Sequence, residues 1–275
     1  MTDVDFTKTQ QQDHSPAPAT AHPRQRRVRA IFISDVHLGT KDSKAALLNE
    51  FLKHYRSENL YLVGDIIDGW KMRAGVYWHR DFNKVIRRLL KLAKRGVSIK
   101  YITGNHDEFL RKHANHRFDN IHLINRCEHI DARGKCFLVL HGDQFENVTH
   151  AHRWLHYIGD YGYDFLMWTN RWFNHWRAKY GFGYWSFAGF LKQHIQTAQT
   201  YILNYEDAVA RGASHKGFQG VICGHIHQAA HKNLQGITYL NTGDWVESCT
   251  AVVEELDGSW RLVYWLQERQ AFINP

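Results

Sequence analysis

Apolar residues in this chain fall into two textures. Short continuous runs alternate with longer stretches in which apolar positions recur every three or four residues. A short run reads as a strand buried on both faces, and the three-to-four spacing reads as one face of a helix. "RAIFISD", "NLYLVGD" and "VSIKYITGN" are strands on this reading. Between them, "SKAALLNEFLKHY" predicts a helix with Ser43 as its N-cap and Leu47, Leu48, Phe51 and Leu52 on one face. "DFNKVIRRLLKLAKRG" predicts a second helix, with a stripe of Phe82, Val85, Ile86, Leu89, Leu90, Leu92 and Ala93 that Gly96 stops. Strand, helix, strand, helix, strand predicts an α/β fold with helices on the faces of a sheet.

Outside this rhythm the texture changes twice. Residues 1–27 hold three of the four prolines and almost no large apolar groups, which predicts a disordered leader ahead of a domain over 28–275. After "KCFLVLHGD", five of the ten tryptophans fall between Trp154 and Trp185, mixed with Arg, Lys and Tyr. That stretch predicts a helical insertion over about 147–200, either a lid or a small subdomain with a closed aromatic core. Strands return at "FQGVICGH", "GITYLNTGD", "CTAVVEEL" and "RLVYWLQ".

The bulk numbers narrow the classes. No apolar run approaches the ~20 residues of a membrane-spanning helix, and the N-terminus lacks a signal-peptide core, so a cytoplasmic protein is expected. Four cysteines without a CxxC pair read as small buried residues in a reducing compartment. A net charge of +8 favours anionic partners: nucleic acid, anionic membrane or phosphorylated substrates. Twenty histidines are the more unusual count, since imidazole is the commonest metal ligand.

Those histidines cluster with carboxylates where predicted strands end. "ISDVHLG" carries Asp35 and His37, "LVGDIIDGW" carries Asp65, and "ITGNHDE" carries Asn105, His106 and Asp107. "LVLHGD" carries His141, and "VICGHIH" carries His225 and His227. In a nearly extended segment, the two-residue spacing of Asp35 with His37, and of His225 with His227, puts each pair on one side. Any one fragment is an ordinary turn; together, at the carboxyl ends of strands, they predict one ligand site. Carboxylate, imidazole and amide oxygen suit Mn, Fe or Zn. Seven donors are too many for one ion and fit two that share Asp65, a pair able to clamp a phosphoryl oxygen and generate a hydroxide.

The ordered blocks "SDVHLG", "GDIID", "GNHD", "HGD" and "GHIH" resemble the calcineurin-like metallophosphoesterases over residues 33 to about 230. The resemblance implies a four-layer αββα sandwich with a dinuclear centre. By matched positions, one ion falls to Asp35, His37, Asp65 and His227, and the other to Asp65, Asn105, His141 and His225. His106 matches the family's non-ligand histidine, which stabilises the transition state or protonates the leaving oxygen, and Asp107 is expected to orient it. The implied reaction is in-line attack of a bridging hydroxide on phosphorus.

"LYLVGDIIDGW", the insertion and "NTGDWVES" further resemble the bacterial UDP-2,3-diacylglucosamine diphosphatases of lipid A synthesis, which generally prefer Mn2+ and hold acyl chains under a helical lid. The resemblance implies a nucleotide-linked lipid substrate, with Arg153, Arg171, Arg177 and Lys179 facing phosphate or anionic headgroups, and peripheral contact with the inner membrane. One position departs: the best-known enzymes of that group read GNRD, with arginine where His106 stands. A relative acting on another phosphodiester, a nuclease binding single strands by stacking, and a non-catalytic metal-binding scaffold are the alternatives.

Overall fold

A computed structural model describes residues 25–148 and 187–273. Nearly all of the leader, most of the insertion, and with it Arg153, Arg171, Arg177 and Lys179, lie outside the described residues. Strands run in chain order as β1 (Arg26–Arg27), β2 (Ala30–Ile33), β3 (Tyr55–Arg56), β4 (Asn59–Val63), β5 (Ser98–Ile102), β6 (Arg117–Phe118) and β7 (Ile121–Ile124). They continue as β8 (Arg126–Ile130), β9 (Cys136–Leu140), β10 (Gly220–Cys223), β11 (Ala230–Leu234), β12 (Ile237–Asn241), β13 (Thr250–Glu254) and β14 (Trp260–Tyr264). The helices used below are α1 (Ala45–His54), α2 (Gly69–Ala74), α3 (Arg80–Lys94) and α4 (Phe187–Ser214).

Two large sheets form. One has seven strands in the order β14-β13-β2-β4-β5-β7-β6, and the other has five in the order β11-β12-β10-β9-β8. β2, β4 and β5 are parallel neighbours, as are β9 and β10. Arg26 and Arg27, the last basic residues of the polar N-terminal stretch, pair with Tyr55 and Arg56 in a small separate sheet.

Period-two alternation divides each central strand between two faces. Ile31, Ile33, Leu60 and Leu62 pack with α1 and α3, whereas Phe32, Tyr61 and Val63 face Phe137, Val139 and Ile222 of the second sheet. Leu138, Leu140, Val221 and Cys223 turn the other way, onto Tyr205, Val209 and Ala213 of α4. Helices, sheet, sheet and helix stack in that order, the expected αββα sandwich. Among the described residues, no helix is long and apolar enough to cross a membrane.

Local details correct three expectations. Ser43 does not cap α1; the capping position is Lys44, and the Ser43 hydroxyl donates to Val36 O at 2.6 Å. Leu90 leaves the apolar stripe of α3 and stands 56 % exposed, while Phe82, Val85, Leu89 and Ala93 are buried. α4 runs on to Ser214, beyond the expected end of the insertion at 200, and supplies an outer layer of the sandwich. Gly96 does end α3: with φ of 88° it lets Gly96 N reach Ala93 O and Val97 N reach Leu92 O.

Candidate metal centre

Five parallel-running strands deliver their next residues to one place. Asp35 follows β2, Asp65 follows β4, Asn105 follows β5, His141 follows β9, and His225 and His227 follow β10. Their atoms fall into two donor groups, Asp35 with His37 and His227, and Asp65 with His141 and His225. Asn105 joins the second group, its Oδ1 lying 3.1 Å from His141 Nε2. All seven predicted donors therefore converge, from both sheets.

The backbone reaches this place by a route the spacing did not show. Asp35, His37, Asp65, His225 and His227 all have positive φ, between 49° and 73°. These residues sit in left-handed turns past the strand ends, so the pairs share a side through alternating turns and not through extended alternation. A non-glycine residue held there costs about 1–3 kcal/mol, and such strain gathers at functional sites. Hydrogen bonds between loops hold the turns: Asp35 N donates to Gly64 O, and His37 N to Asp65 O. Glycines make room for the close approach. A Cβ on Gly104 would overlap the Asp65 carboxylate, and one on Gly224 would overlap Ser34 and Asp35.

Each donor is oriented by the atom it does not offer. His141 Nδ1 donates to Val63 O at 2.9 Å, leaving Nε2 beside Asp65 Oδ2 at 3.2 Å. His37 Nδ1 lies 3.1 Å from Asp68 Oδ2 and leaves Nε2 buried with no hydrogen-bond partner. Asp35 Oδ2 accepts from Ser34 Oγ and His225 N, while Oδ1, 3.3 Å from His227 Nε2, makes no hydrogen bond. Ser34 in turn contacts Thr242 Oγ1 and Gly243 O, so the "NTGD" loop props Asp35.

The electrostatics are those of carboxylates in need of cations. Burial alone would raise Asp65, yet the His141 imidazole holds it at about 2. Asp35 is likewise lowered, its burial outweighed by the charges of His227, His141 and His37. Reciprocally, burial would lower His141 and His227, but the carboxylates raise them to about 10 and about 9. Burial, and then the charge of His141, push His225 down to about 4, the neutral form a metal ligand needs. Buried, unbonded Oδ1 and Nε2 atoms facing opposite-sign donors fit divalent ions in this donor set.

His106 lies beside the centre, its ring 4.6 Å from that of His37. Its orienting partner is Asp68, not Asp107. Asp68 Oδ2 is 3.0 Å from His106 Nδ1, and Asp68 Oδ1 accepts from Lys71 N at the start of α2. Asp107 is fully buried and spends its carboxylate on Ile66 N, Gly104 N and the Tyr101 hydroxyl, which hold the loop and not the histidine. Burial would lower His106, but the hydrogen bond to Asp68 and the charge of Asp65 raise it. The Trp70 ring also packs on His106, tilted by 36° with ring centroids 4.4 Å apart. Asp68 stands in the "GDIIDGW" block, three residues past Asp65, and that spacing was the available signal for it.

The chain is similar to known proteins in sequence and, more distantly, in structure. The profile of the family described as Calcineurin-like phosphoesterase matches residues 28–229. The chain is 27% identical over 245 residues to a UDP-2,3-diacylglucosamine hydrolase of Neisseria meningitidis serogroup B, covering 83% of this chain and 94% of that one. It is 27% identical over 126 residues to the protein of the same name from Porphyromonas gingivalis, covering 43% of this chain and 47% of the other. Among solved structures, Yfce, a phosphoesterase from E. coli, aligns over 86% of this chain and 98% of its own, with a TM-score of 0.41 and 12% identity.

Proposed function

The chain belongs to the calcineurin-like phosphoesterases, and from that premise we propose that it splits the pyrophosphate of UDP-2,3-diacylglucosamine, or of a related nucleotide-linked lipid, at a centre of two divalent ions. That it is a hydrolase of phosphoric ester or anhydride bonds follows from the family and the similar hydrolases. The observation that carries the dinuclear reading is that the donors form two groups, one of which holds the buried, unbonded atoms Asp35 Oδ1 and His37 Nε2. In this reading Asp35, His37, Asp65 and His227 hold one ion, and Asp65, Asn105, His141 and His225 hold the other.

Divalent ions in such a donor set, Mn2+ foremost, polarise phosphoryl oxygens and supply an oxygen nucleophile at neutral pH. The chain's own residues do the rest. Asp68 fixes Nδ1 of His106, so Nε2 is left to hydrogen-bond a phosphoryl oxygen or to give a proton to the leaving oxygen. The hydrogen bond to Asp68 and the charge of Asp65 outweigh burial and raise the pKa of His106, which favours its holding that proton. The similarity to the Neisseria hydrolase over most of both chains supports the lipid-linked substrate. In the same reading the aromatic, basic stretch that includes Arg153, Arg171, Arg177 and Lys179 holds the acyl chains and meets the anionic inner membrane from the cytoplasmic side.

Incubating the Mn2+-loaded chain with UDP-2,3-diacylglucosamine, and separately with bis(4-nitrophenyl) phosphate and single-stranded DNA, tests the substrate. The expected products of the first are UMP and the lipid sugar phosphate, identified by mass. Turnover of the diester or of DNA with none of the lipid would overturn the substrate and leave the family chemistry standing.

A further inference from the structure

A cavity of about 420 Å3 lies at the far end of the strands that carry the metal centre. β2, β4 and β5 run parallel, and Asp35, Asp65 and Asn105 follow their carboxyl ends. The cavity is built from residues that precede their amino ends, Arg27 before β2, Arg56 and Glu58 before β4, and Arg95 before β5. At ~3.3 Å per residue, the strands between keep the two regions roughly 15 Å apart or more.

Its lining is cationic. Arg27, Arg56, Arg88 and Arg95 all border it, and among the described residues none of them forms an ion pair. Glu58, the acid in the lining, pairs with none of them. Arg88 is half-buried and fixed by Asn49, whose Oδ1 accepts from its Nε at 3.3 Å. Burial, and then the charge of Arg95, hold the Arg88 guanidinium below the usual arginine range.

Like charges around a concavity focus a positive potential into it. Guanidinium groups present forked donors that match a phosphate bidentately. Beneath the arginines the wall is apolar, with Leu52 and Leu92. We infer that this cavity is a second anion site, separate from the metal centre, that takes a phosphate group carrying an apolar part. The shared chemistry has two sources, the headgroup of an anionic phospholipid and a soluble phosphate with a hydrophobic substituent.

The test uses the full-length, metal-loaded chain with two probes. One is phosphatidylcholine vesicles with and without phosphatidylglycerol, read by co-sedimentation. The other is hexylphosphonate, whose carbon–phosphorus bond the enzyme does not hydrolyse, read by calorimetry. Arg56 and Arg95 are both exposed, so R56Q/R95Q removes half the charge with little risk to folding, which a melting curve checks. K91Q/K94Q removes the same charge from exposed positions of α3 outside the cavity. R56Q/R95Q is expected to weaken binding of one probe about tenfold or more, and K91Q/K94Q about twofold or less, as lost charge-assisted hydrogen bonds and lost long-range attraction respectively imply. Turnover of bis(4-nitrophenyl) phosphate stays unchanged in both variants. A loss confined to the anionic vesicles names a lipid headgroup, and a loss with hexylphosphonate names a soluble ligand. No binding by the unmodified chain, or equal effects of the two double variants on both probes, would overturn the site.

Discussion

Asp68 contacts two imidazoles to which the proposed function gives different work. Its Oδ2 lies 3.1 Å from Nδ1 of His37, a proposed metal donor, and 3.0 Å from Nδ1 of His106, the proposed proton donor. Asp68→Asn keeps the shape but removes the charge that orients both rings. With saturating Mn2+, the expected outcome is a fall in kcat for a phosphodiester of about 100-fold with KM changed about threefold or less, since Asp68 orients the proton donor and a proposed metal donor and not the substrate. Because Asp68 raises His106, the basic limb of the pH–rate profile should also move to lower pH in the variant. Steady-state kinetics across pH check both, and an unchanged kcat would remove His106 from the reaction. At this scale the sequence was legible to the extent that chemistry fixes residue type. Asp35, His37, Asp65, Asn105, His141, His225 and His227 all converge. The role of Asp107 was misread because adjacency in "GNHD" suggested a pair, whereas the loop turns the two side chains apart and buries the Asp107 carboxylate among backbone donors.

Elements were legible where apolar pattern alone decides them. Strands β2, β4, β9, β10 and β13 all fall within predicted runs, because burial on both faces leaves an unbroken apolar signal. The less buried β5 and β12 fall within such runs too, and the edge strand β14 begins one residue ahead of its run. β7 and β8, "IHLI" and "RCEHI", stand nearer the sheet edges and mix polar with apolar residues, so the pattern faded there. α4 was hidden in the aromatic texture that surrounds its start. The layer that the pattern could not assign is the one between the sheets. Phe137 on β9 is fully buried there, with its ring 4.8 Å from that of Trp260 on β14 of the other sheet. Phe137→Ala should cost about 3–5 kcal/mol, the range for emptying a buried aromatic site. Calorimetric unfolding measures it, and a loss well under 1 kcal/mol would mean that the inter-sheet contact is not part of the cooperative core.

At the scale of the whole molecule, the stacking of the sheets assembles the centre. Asp35, His37, Asp65 and Asn105 come from one sheet, and His141, His225 and His227 from the other. A buried carboxylate clasps the same stack: Glu254 on β13 accepts from Arg29 at 2.7 Å and from Ala132 N, and meets His129 Nε2 on β8 at 2.8 Å. Burial would raise Glu254, but the hydrogen bonds from His129, Ala132 and Arg29 lower it below the usual carboxylate range. A carboxylate with a lowered folded pKa stabilises above its unfolded pKa, about 4.3 for Glu. That contribution is lost as pH falls through the folded value. Glu254→Gln should therefore lower stability by about 3 kcal/mol at neutral pH, as for a broken buried pair, and make the loss of Tm between pH 5 and pH 3 shallower. Melting curves across that range check it; a parallel shift at every pH would assign the effect to packing and not to charge.

By itself the sequence determined the donor types, their order and their place at strand ends, because metal chemistry restricts residue identity and buried strands restrict hydropathy. It also determined the layered α/β class, since strand and helix periods are local properties of the chain. Only the tertiary structure decided the left-handed turns that aim Asp35, His37, Asp65, His225 and His227, the choice of Asp68 over Asp107 beside His106, and the gathering of four arginines at the opposite end of the strands. Those features depend on which loops meet across the two sheets. Contacts between residues far apart in the chain, such as His225 N on Asp35, 190 positions away, are set by packing and leave no local pattern to read.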